Sequence, residues 1–284
     1  MRAHVTVLAL HKGGGEPHEY EDAAWVGSST ATGEARSIMP PPGPTCRRGG
    51  VGRVATLRAA VADGASSSLL ARRWAQLLVR EAGAAPSGLL RTEAGFADVL
   101  NRAADRWPDH MKEYTRLREL RGKPITWFER PGLERGAHAT LLVAHLAAHR
   151  WQPGRGTWSA VALGDSCLFH VRNDAVRVAM PVEAAEDFGN TPPLAASSGQ
   201  DRDLAASHAA LARGTWLLGD RFYLATDAMA AWFLRQSENG RKPWDLLRAL
   251  DYATPREWTT WAERERASGE LPNDDVTLVR IEPR

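Results

Sequence analysis

The chain has 284 residues, long enough for a substantial core, and its 43% apolar and 25% charged residues are the balance of an ordinary soluble globular protein. A net charge of +2 gives no ground for a nucleic-acid or membrane partner. Two cysteines, Cys46 and Cys167, cannot form a disulfide framework and lack metal-type spacing, which fits a reducing, cytoplasmic setting.

The opening "HVTVLAL" alternates as a strand does, and its short apolar run, broken by His4, does not read as a signal peptide. "HKGGGEPHEYED" is loop, and "DAAWVGSST" is a second strand. "TATGEARSIMPPPGPTCRRGG" is rich in Pro and Gly and reads as a long excursion before the strand "RVATLRAAVADG". Helical periodicity follows in "SSSLLARRWAQLLVREAG", with serines as candidate caps. It continues in "TEAGFADVLNRAADRWPDHMKEYTRLREL", where Pro108 is expected to interrupt the helix.

From "AHATLLVAHLAAH" onward the pattern changes to successive antiparallel strands, through "GTWSAVALGDSCLFHVRND" and "AVRVAM". Residues 181–203 read as loop-like, with part of the segment open to a helix. "GTWLLGDRFYLATDAM" is expected to be one strand. Three helices follow, the last with Thr254 as its cap and Pro255 in its first turn, and "LPNDDVTLVRIE" closes the chain as a strand. No repeat and no clean linker divides the sequence, so a single α+β domain over residues 1–284 is expected. Strands that come in blocks favour antiparallel sheets.

The chemistry-bearing feature is a set of acids at strand ends. Asp63 and Asp227 close strands, Asp274 opens one, and Glu21–Asp22 stand where the first loop enters a strand. Clustered carboxylates repel and raise one another's pKa unless a cation joins them. An all-oxygen donor set suits Mg²⁺ or Mn²⁺ rather than zinc. Taken singly, each acid also has a structural reading: Asp63–Gly64 as a turn, Asp227 as a helix cap, Asp165 as a turn stabiliser, and Glu21, Asp22, Asp274 and Asp275 as solvated loop charge. His145 and His149, spaced as a helical zinc pair, lack a third ligand and read as structural or surface residues. Ser166 lacks the G-x-S-x-G elbow of a nucleophile, and Gly13–Gly15 lack the Lys-Ser/Thr of a phosphate loop.

In order along the chain stand "EYEDAAW", "AAVADGA", "GAHATLLVA", "AVALGDSCLF", "GDRFYLATDAM" and "NDDVTLVRI". This series resembles the metal-dependent serine/threonine phosphatases of the protein phosphatase 2C or PPM type, along nearly the whole chain. The resemblance implies two stacked antiparallel β-sheets flanked by helices, with metals in a channel at one edge. It implies that Asp63 bridges two Mn²⁺ or Mg²⁺ ions, that the Gly64 carbonyl binds one and that Asp227 and Asp274 hold the other. Glu21 and Asp22 would bind or orient water on the metals, and Asp165 would serve a third ion. The implied activity is hydrolysis of phosphoserine or phosphothreonine. The implied partners are phosphoproteins, including a cognate Ser/Thr kinase or its targets.

The sequence departs from the family pattern at several places. Pro17 stands where an Arg usually grips phosphate; His18, Arg36, Arg47, Arg48 and Arg53 are the candidates to replace it. Ala65, Ser66 and Ser67 follow the motif Gly64, Ala228 replaces a glycine, and Asp275 replaces an Asn. Pro17 and Ala228 favour an alternative, a low-activity or inactive member that acts as a metal- or phosphoprotein-binding regulatory module. A third possibility is a β-rich binding domain with no metal.

Overall fold

The structure, a computed structural model, describes residues 1–30, 35–38, 44–189, 191–198 and 202–284, and of 35–38 and 202–204 the backbone alone. The N-terminal half supplies β1 (Ala3–Leu10), β2 (Ala23–Ser29), β3 (Ala35–Ile38), β4 (Thr45–Val51), β5 (Thr56–Ala62), α1 (Ala71–Ala84), α2 (Glu93–Leu120) and α3 (Arg130–Arg135). Then come β6 (His138–Ala139), β7 (Leu141–Ala148), β8 (Arg155–Leu163), β9 (Cys167–Arg172), β10 (Ala175–Met180), β11 (Ala195–Ala196) and α4 (Arg202–Ser207). The chain ends with β12 (Ala210–Leu217), β13 (Arg221–Ala225), α5 (Asp227–Glu238), α6 (Pro243–Ala249), α7 (Pro255–Ala267) and β14 (Val276–Pro283).

Among the described residues, two six-stranded antiparallel sheets form the centre. One has the order β10-β9-β13-β14-β1-β4 and the other β12-β8-β7-β5-β2-β3. Strand alternation decides what each face meets. Val5, Val7, Phe222, Leu224, Val279 and Ile281 of the first sheet face Leu57, Ala59, Val61, Leu142, Ala144 and Leu146 of the second, and these inner faces share one core. The other face of the first sheet packs on α5, α6 and α7 through Phe169, Tyr223, Trp232, Phe233 and Trp258. The other face of the second packs on α1 and α2 through Val143, Val161, Trp74, Phe96 and Trp107. The result is the four-layer α-β-β-α sandwich that the family resemblance implies, built from the antiparallel sheets that the strand blocks favour. Among the described residues, no helix is long and apolar enough to cross a membrane.

Four local expectations are corrected. The Pro- and Gly-rich excursion contains β3 and β4. The polar β4 pairs with β1, so backbone hydrogen bonds to an edge hold it, not a periodic apolar face. Residues 31–34 and 39–43 of that excursion lie outside the described residues. The segment 214–227 is two strands in different sheets, because Gly219 (φ 90°) and buried Asp220 turn the chain between them. Asp220 accepts from the Leu217 N–H, the His170 ring and the Arg172 guanidinium.

Pro108 does not interrupt α2, which runs unbroken. Pro108 lies on the exposed side, and the buried stripe that anchors the helix ends at Trp107. No serine caps α1: Leu70 precedes it in the left-handed conformation (φ 64°), and Ser68 Oγ instead donates to the Ala65 carbonyl. By contrast, Thr254 caps α7 with Glu257 in a reciprocal box, and Pro255 fills the first helical position, as its sequence implies. In the segment 181–203, a 3₁₀ turn at Ala185–Asp187 and the short β11 precede α4, while residues 190 and 199–201 lie outside the described residues.

Candidate active site at the acidic edge of the sandwich

The antiparallel sheets bring eight chain segments to one end. Strands β1, β5, β8 and β13 finish there, while β2, β7, β9 and β14 begin there. Asp63 follows β5, Asp22 precedes β2, Asp165 lies between β8 and β9, Asp227 follows β13 and Asp274 precedes β14. The acids singled out in the sequence therefore share one edge.

Each is held differently. The Asp63 N–H donates to Thr140 Oγ1 at 3.0 Å, and the Asp63 carbonyl accepts from the Thr140 N–H at 2.8 Å. Thr140 Oγ1 is in turn 2.7 Å from Ser166 Oγ, so buried Ser166 is a supporting hydroxyl. Asp22 is buried; its Oδ2 accepts from Thr226 Oγ1 (2.9 Å) and Thr277 Oγ1 (2.7 Å), and its Oδ1 has no protein partner. Asp165 Oδ1 is likewise buried and unpartnered. Asp227 is the first residue of α5, one place inside the helix, where a carboxylate is favoured by the helix dipole. Glu21 is partly exposed and accepts from Ser66 Oγ.

Electrostatics shows that these groups feel one another. Burial first, and then Asp22, Asp227, Asp165 and Asp274, push the Asp63 carboxyl well above the usual range, although it is partly open to solvent. Burial and then Asp275 do the same to Asp22. Asp227 is pushed up to about 7 by burial and then by Asp165 and Asp274. Even so, among the described residues no group of three or more His, Cys, Asp or Glu stands close enough to hold a metal ion as placed. The donor chemistry still fits a hard divalent cation. The donors are oxygens only, their charges are uncompensated, and two buried carboxylate oxygens lack any protein partner.

The structure separates two adjacent acids, of which the resemblance names Asp274 as the ligand and Asp275 as its possible competitor. Asp275 is buried and accepts the Lys12 N–H at 2.9 Å and the Glu21 N–H at 2.6 Å, so both of its oxygens tie the first loop to β14. Asp274 is exposed and accepts only the N–H of Asp275 through its side chain. Asp275→Ala is therefore expected to destabilise the fold by about 2–3 kcal/mol, because two partly buried N–H groups lose a charged acceptor. Asp274→Ala should leave urea unfolding within about 0.5 kcal/mol of wild type and weaken cation binding instead. Equal destabilisation by the two would contradict this division.

Gly64 has a steric reason to be glycine. A Cβ there would lie 2.9 Å from the Ala71 carbonyl carbon and 2.9 Å from the Glu21 carbonyl oxygen, both of them backbone. Gly64→Ala is expected to cost about 1–3 kcal/mol and to displace Glu21, read as a lower urea midpoint together with weaker Mn²⁺ binding. Ala228, by contrast, sits in the first turn of α5 with its side chain in the core, so a Cβ is accommodated there.

Of the cations weighed as replacements at Pro17, His18 lies in the loop that reaches this edge, and the described arginines stand along β4 or beyond its far end. Pro17 begins a 3₁₀ turn and His18 is exposed. Arg47 is exposed, opposite Val7 on β1. Arg48 lies opposite Thr6, bonded to the His4 ring and 4.6 Å over the Tyr252 ring. Arg53 follows β4 near the start of β1. The side chain of Arg36 is outside the described residues. Sequence reasoning missed Arg72, which lies in the first turn of α1. Its guanidinium carbon is 5.9 Å from the centre of the Tyr20 ring, its buried Nε has no partner, and its charge couples to Asp275. No sequence signal marks it, because its place beside Tyr20 is set by the packing of α1 against the sheet.

A scan of the sequence against protein-family models and a comparison with curated proteins each found no match. Solved structures do match. A bacterial serine phosphatase superposes over 99% of this chain and 97% of its own, with a TM-score of 0.52 at 10% identity. The catalytic domain of the serine/threonine phosphatase PstP in complex with two manganese ions matches over 99% of each chain, with a TM-score of 0.50 at 15% identity. A structure from the bacterial stressosome matches over 99% of each chain, with a TM-score of 0.50 at 17% identity. At such identities the likeness defines the fold: this chain is folded as the PPM-type phosphatases are.

Proposed function

We propose that residues 1–284 form one PPM-type phosphatase domain that hydrolyses phosphoserine or phosphothreonine in proteins, using two or three Mn²⁺ or Mg²⁺ ions. The observation that carries the reading is the convergence of Asp22, Asp63, Asp165, Asp227 and Asp274 on one sheet edge, with Asp22 Oδ1 and Asp165 Oδ1 buried and unpartnered. Asp63, the Gly64 carbonyl, Asp227 and Asp274 would hold the ions, with Asp22 and Glu21 toward their water and Asp165 toward a further ion. When bound, such ions supply Lewis acidity toward water and toward the phosphoryl oxygens.

The chain's own residues do the positioning. Thr226 and Thr277 fix Asp22 through one oxygen and leave the other as an acceptor. Thr140 fixes the backbone of Asp63, and Asp275 fixes that of Glu21. Arg72 brings a guanidinium to the edge, the group suited to phosphoryl oxygens. Arg72→Met is expected to raise KM for a phosphopeptide about tenfold, the scale of one charge-assisted hydrogen bond, while Mn²⁺ affinity stays unchanged.

The test is phosphate release from a phosphothreonine peptide. Release with Mn²⁺ that EDTA abolishes supports the reading, and no release under either condition overturns it. Pro17, which puts no guanidinium at its position, favours a second reading: a regulatory module that binds metal or phosphoprotein with little turnover. Mn²⁺ binding without phosphate release would select it. The substrates we expect are phosphoproteins of a cytoplasmic Ser/Thr kinase system, the kinase included.

A further inference from the structure

Away from the acidic edge, the second sheet carries a polar row with no part in the proposed chemistry. Arg58 of β5, His145 of β7, Ser159 of β8 and Arg213 of β12 stand in register across four strands. Arg58, His145 and Ser159 stand two residues from Ala60, Val143 and Val161, which pack on the helices, so the row shares that face. Arg58 precedes Asp63 by five residues, about 16 Å along a strand.

Arg58 is committed. Its guanidinium donates to the carbonyls of Ala82 and Gly83, each at 2.9 Å, to that of Ala85 and to Ser87 Oγ, and so closes the C-terminal end of α1. The rest of the row is not. His145 is buried, and its Nδ1 has no partner; Ser159 Oγ is buried and unpartnered as well. Buried polar atoms without partners are rare in folded proteins and ask for an explanation. Burial, with the charges of Arg58 and Arg91, holds the His145 imidazole down at about 4, so at neutral pH the positive charge here comes from arginines alone.

Beside the row lies a cavity of about 660 Å³. Leu90 and Arg91 line it from a 3₁₀ turn, Thr157 and Ser159 from β8, and Leu211 and Arg213 from β12. Its size is that of a small-molecule site. Among the described residues, no carboxylate pairs with Arg91 or Arg213.

We propose that this cavity binds a small organic anion, a phosphate or carboxylate carried on a compact apolar group. Arg91 and Arg213 engage the oxyanion, the hydroxyl of Thr157 donates to it, and Leu90 and Leu211 pack on the apolar part. The inference does not rest on the phosphatase reading, and its test is run where that site is idle.

The protein is titrated in EDTA, where the uncompensated acids repel anions, with phenylphosphonate and with benzoate, and binding is read by calorimetry and ligand-observed NMR. The phosphonate and carboxylate probes separate the two possible anions. The expected result is saturable binding of at least one probe, weakened about tenfold or more in Arg91→Ala/Arg213→Ala and unchanged in Asp63→Asn. Arg91 and Arg213 are both exposed, so the double variant is expected to fold, and its melting temperature checks this. The proposal is overturned if neither probe binds saturably below about 10 mM. It is overturned equally by binding that survives the double substitution, or by binding lost in Asp63→Asn, which would place the anion at the acidic edge.

Discussion

Asp63→Asn will lower Mn²⁺-dependent hydrolysis of a phosphothreonine peptide by about a thousandfold, the rate equivalent of about 4 kcal/mol of lost charge stabilisation at the reacting phosphoryl group. The same substitution will raise the melting temperature of the metal-free protein at pH 8. Both effects have one cause. The Asp63 carboxyl is raised by burial and by Asp22, Asp227, Asp165 and Asp274, so its ionised form is unfavourable in the fold unless a cation offsets it. Asparagine removes the charge, keeps the shape and leaves the backbone bonds to Thr140 in place. A variant that lost activity and stability together would have been damaged structurally, and the result would not support a ligand role.

Without metal, stability will fall as pH rises. Asp227, ordinarily near 3.8, is held at about 7 in the fold by burial and by Asp165 and Asp274. Below about 4 it is protonated in both the folded and unfolded chain and carries no penalty. Between about 4 and 7 the unfolded chain gives up the proton while the folded chain keeps it, so stability declines with pH, and above 7 this contribution is fully lost. Asp22 and Asp63, raised well above the usual carboxylate range for the same reasons, add to the slope. In EDTA the melting temperature should drop by about 5–10 °C from pH 5 to pH 8, a shift that corresponds to a few kcal/mol. Saturating Mn²⁺ should remove most of that drop, and Asp227→Asn should make it shallower. A melting temperature that rose from pH 5 to 8 in EDTA would contradict the account.

Much of this was legible in the sequence, for identifiable reasons. The acids are visible because each follows or precedes an alternating apolar strand, and antiparallel pairing must then bring those ends together. The cap of α7 is local chemistry in Thr254, Pro255 and Glu257, and local chemistry survives folding. What stayed hidden is set by tertiary contacts. Within the "DD" pair, the role of Asp275 stays hidden until Lys12 and Glu21 are seen to use it. Pro108 is tolerated within α2 because of the side it faces, which periodicity marks only faintly. The turn between β12 and β13 is masked by apolar residues on both sides of Gly219 and Asp220. Arg72 reaches the acidic edge through the packing of α1 on the sheet, which the close approach at Gly64 accommodates.

The central claim is that the shared edge of Asp22, Asp63, Asp165, Asp227 and Asp274 is a divalent-cation site. Calorimetric titration of the metal-free protein with Mn²⁺, run beside Asp63→Asn, tests it most directly. The account predicts about two equivalents bound by the wild type and an affinity at least about tenfold lower in the variant. No binding to the wild type, or equal binding to both, would contradict it.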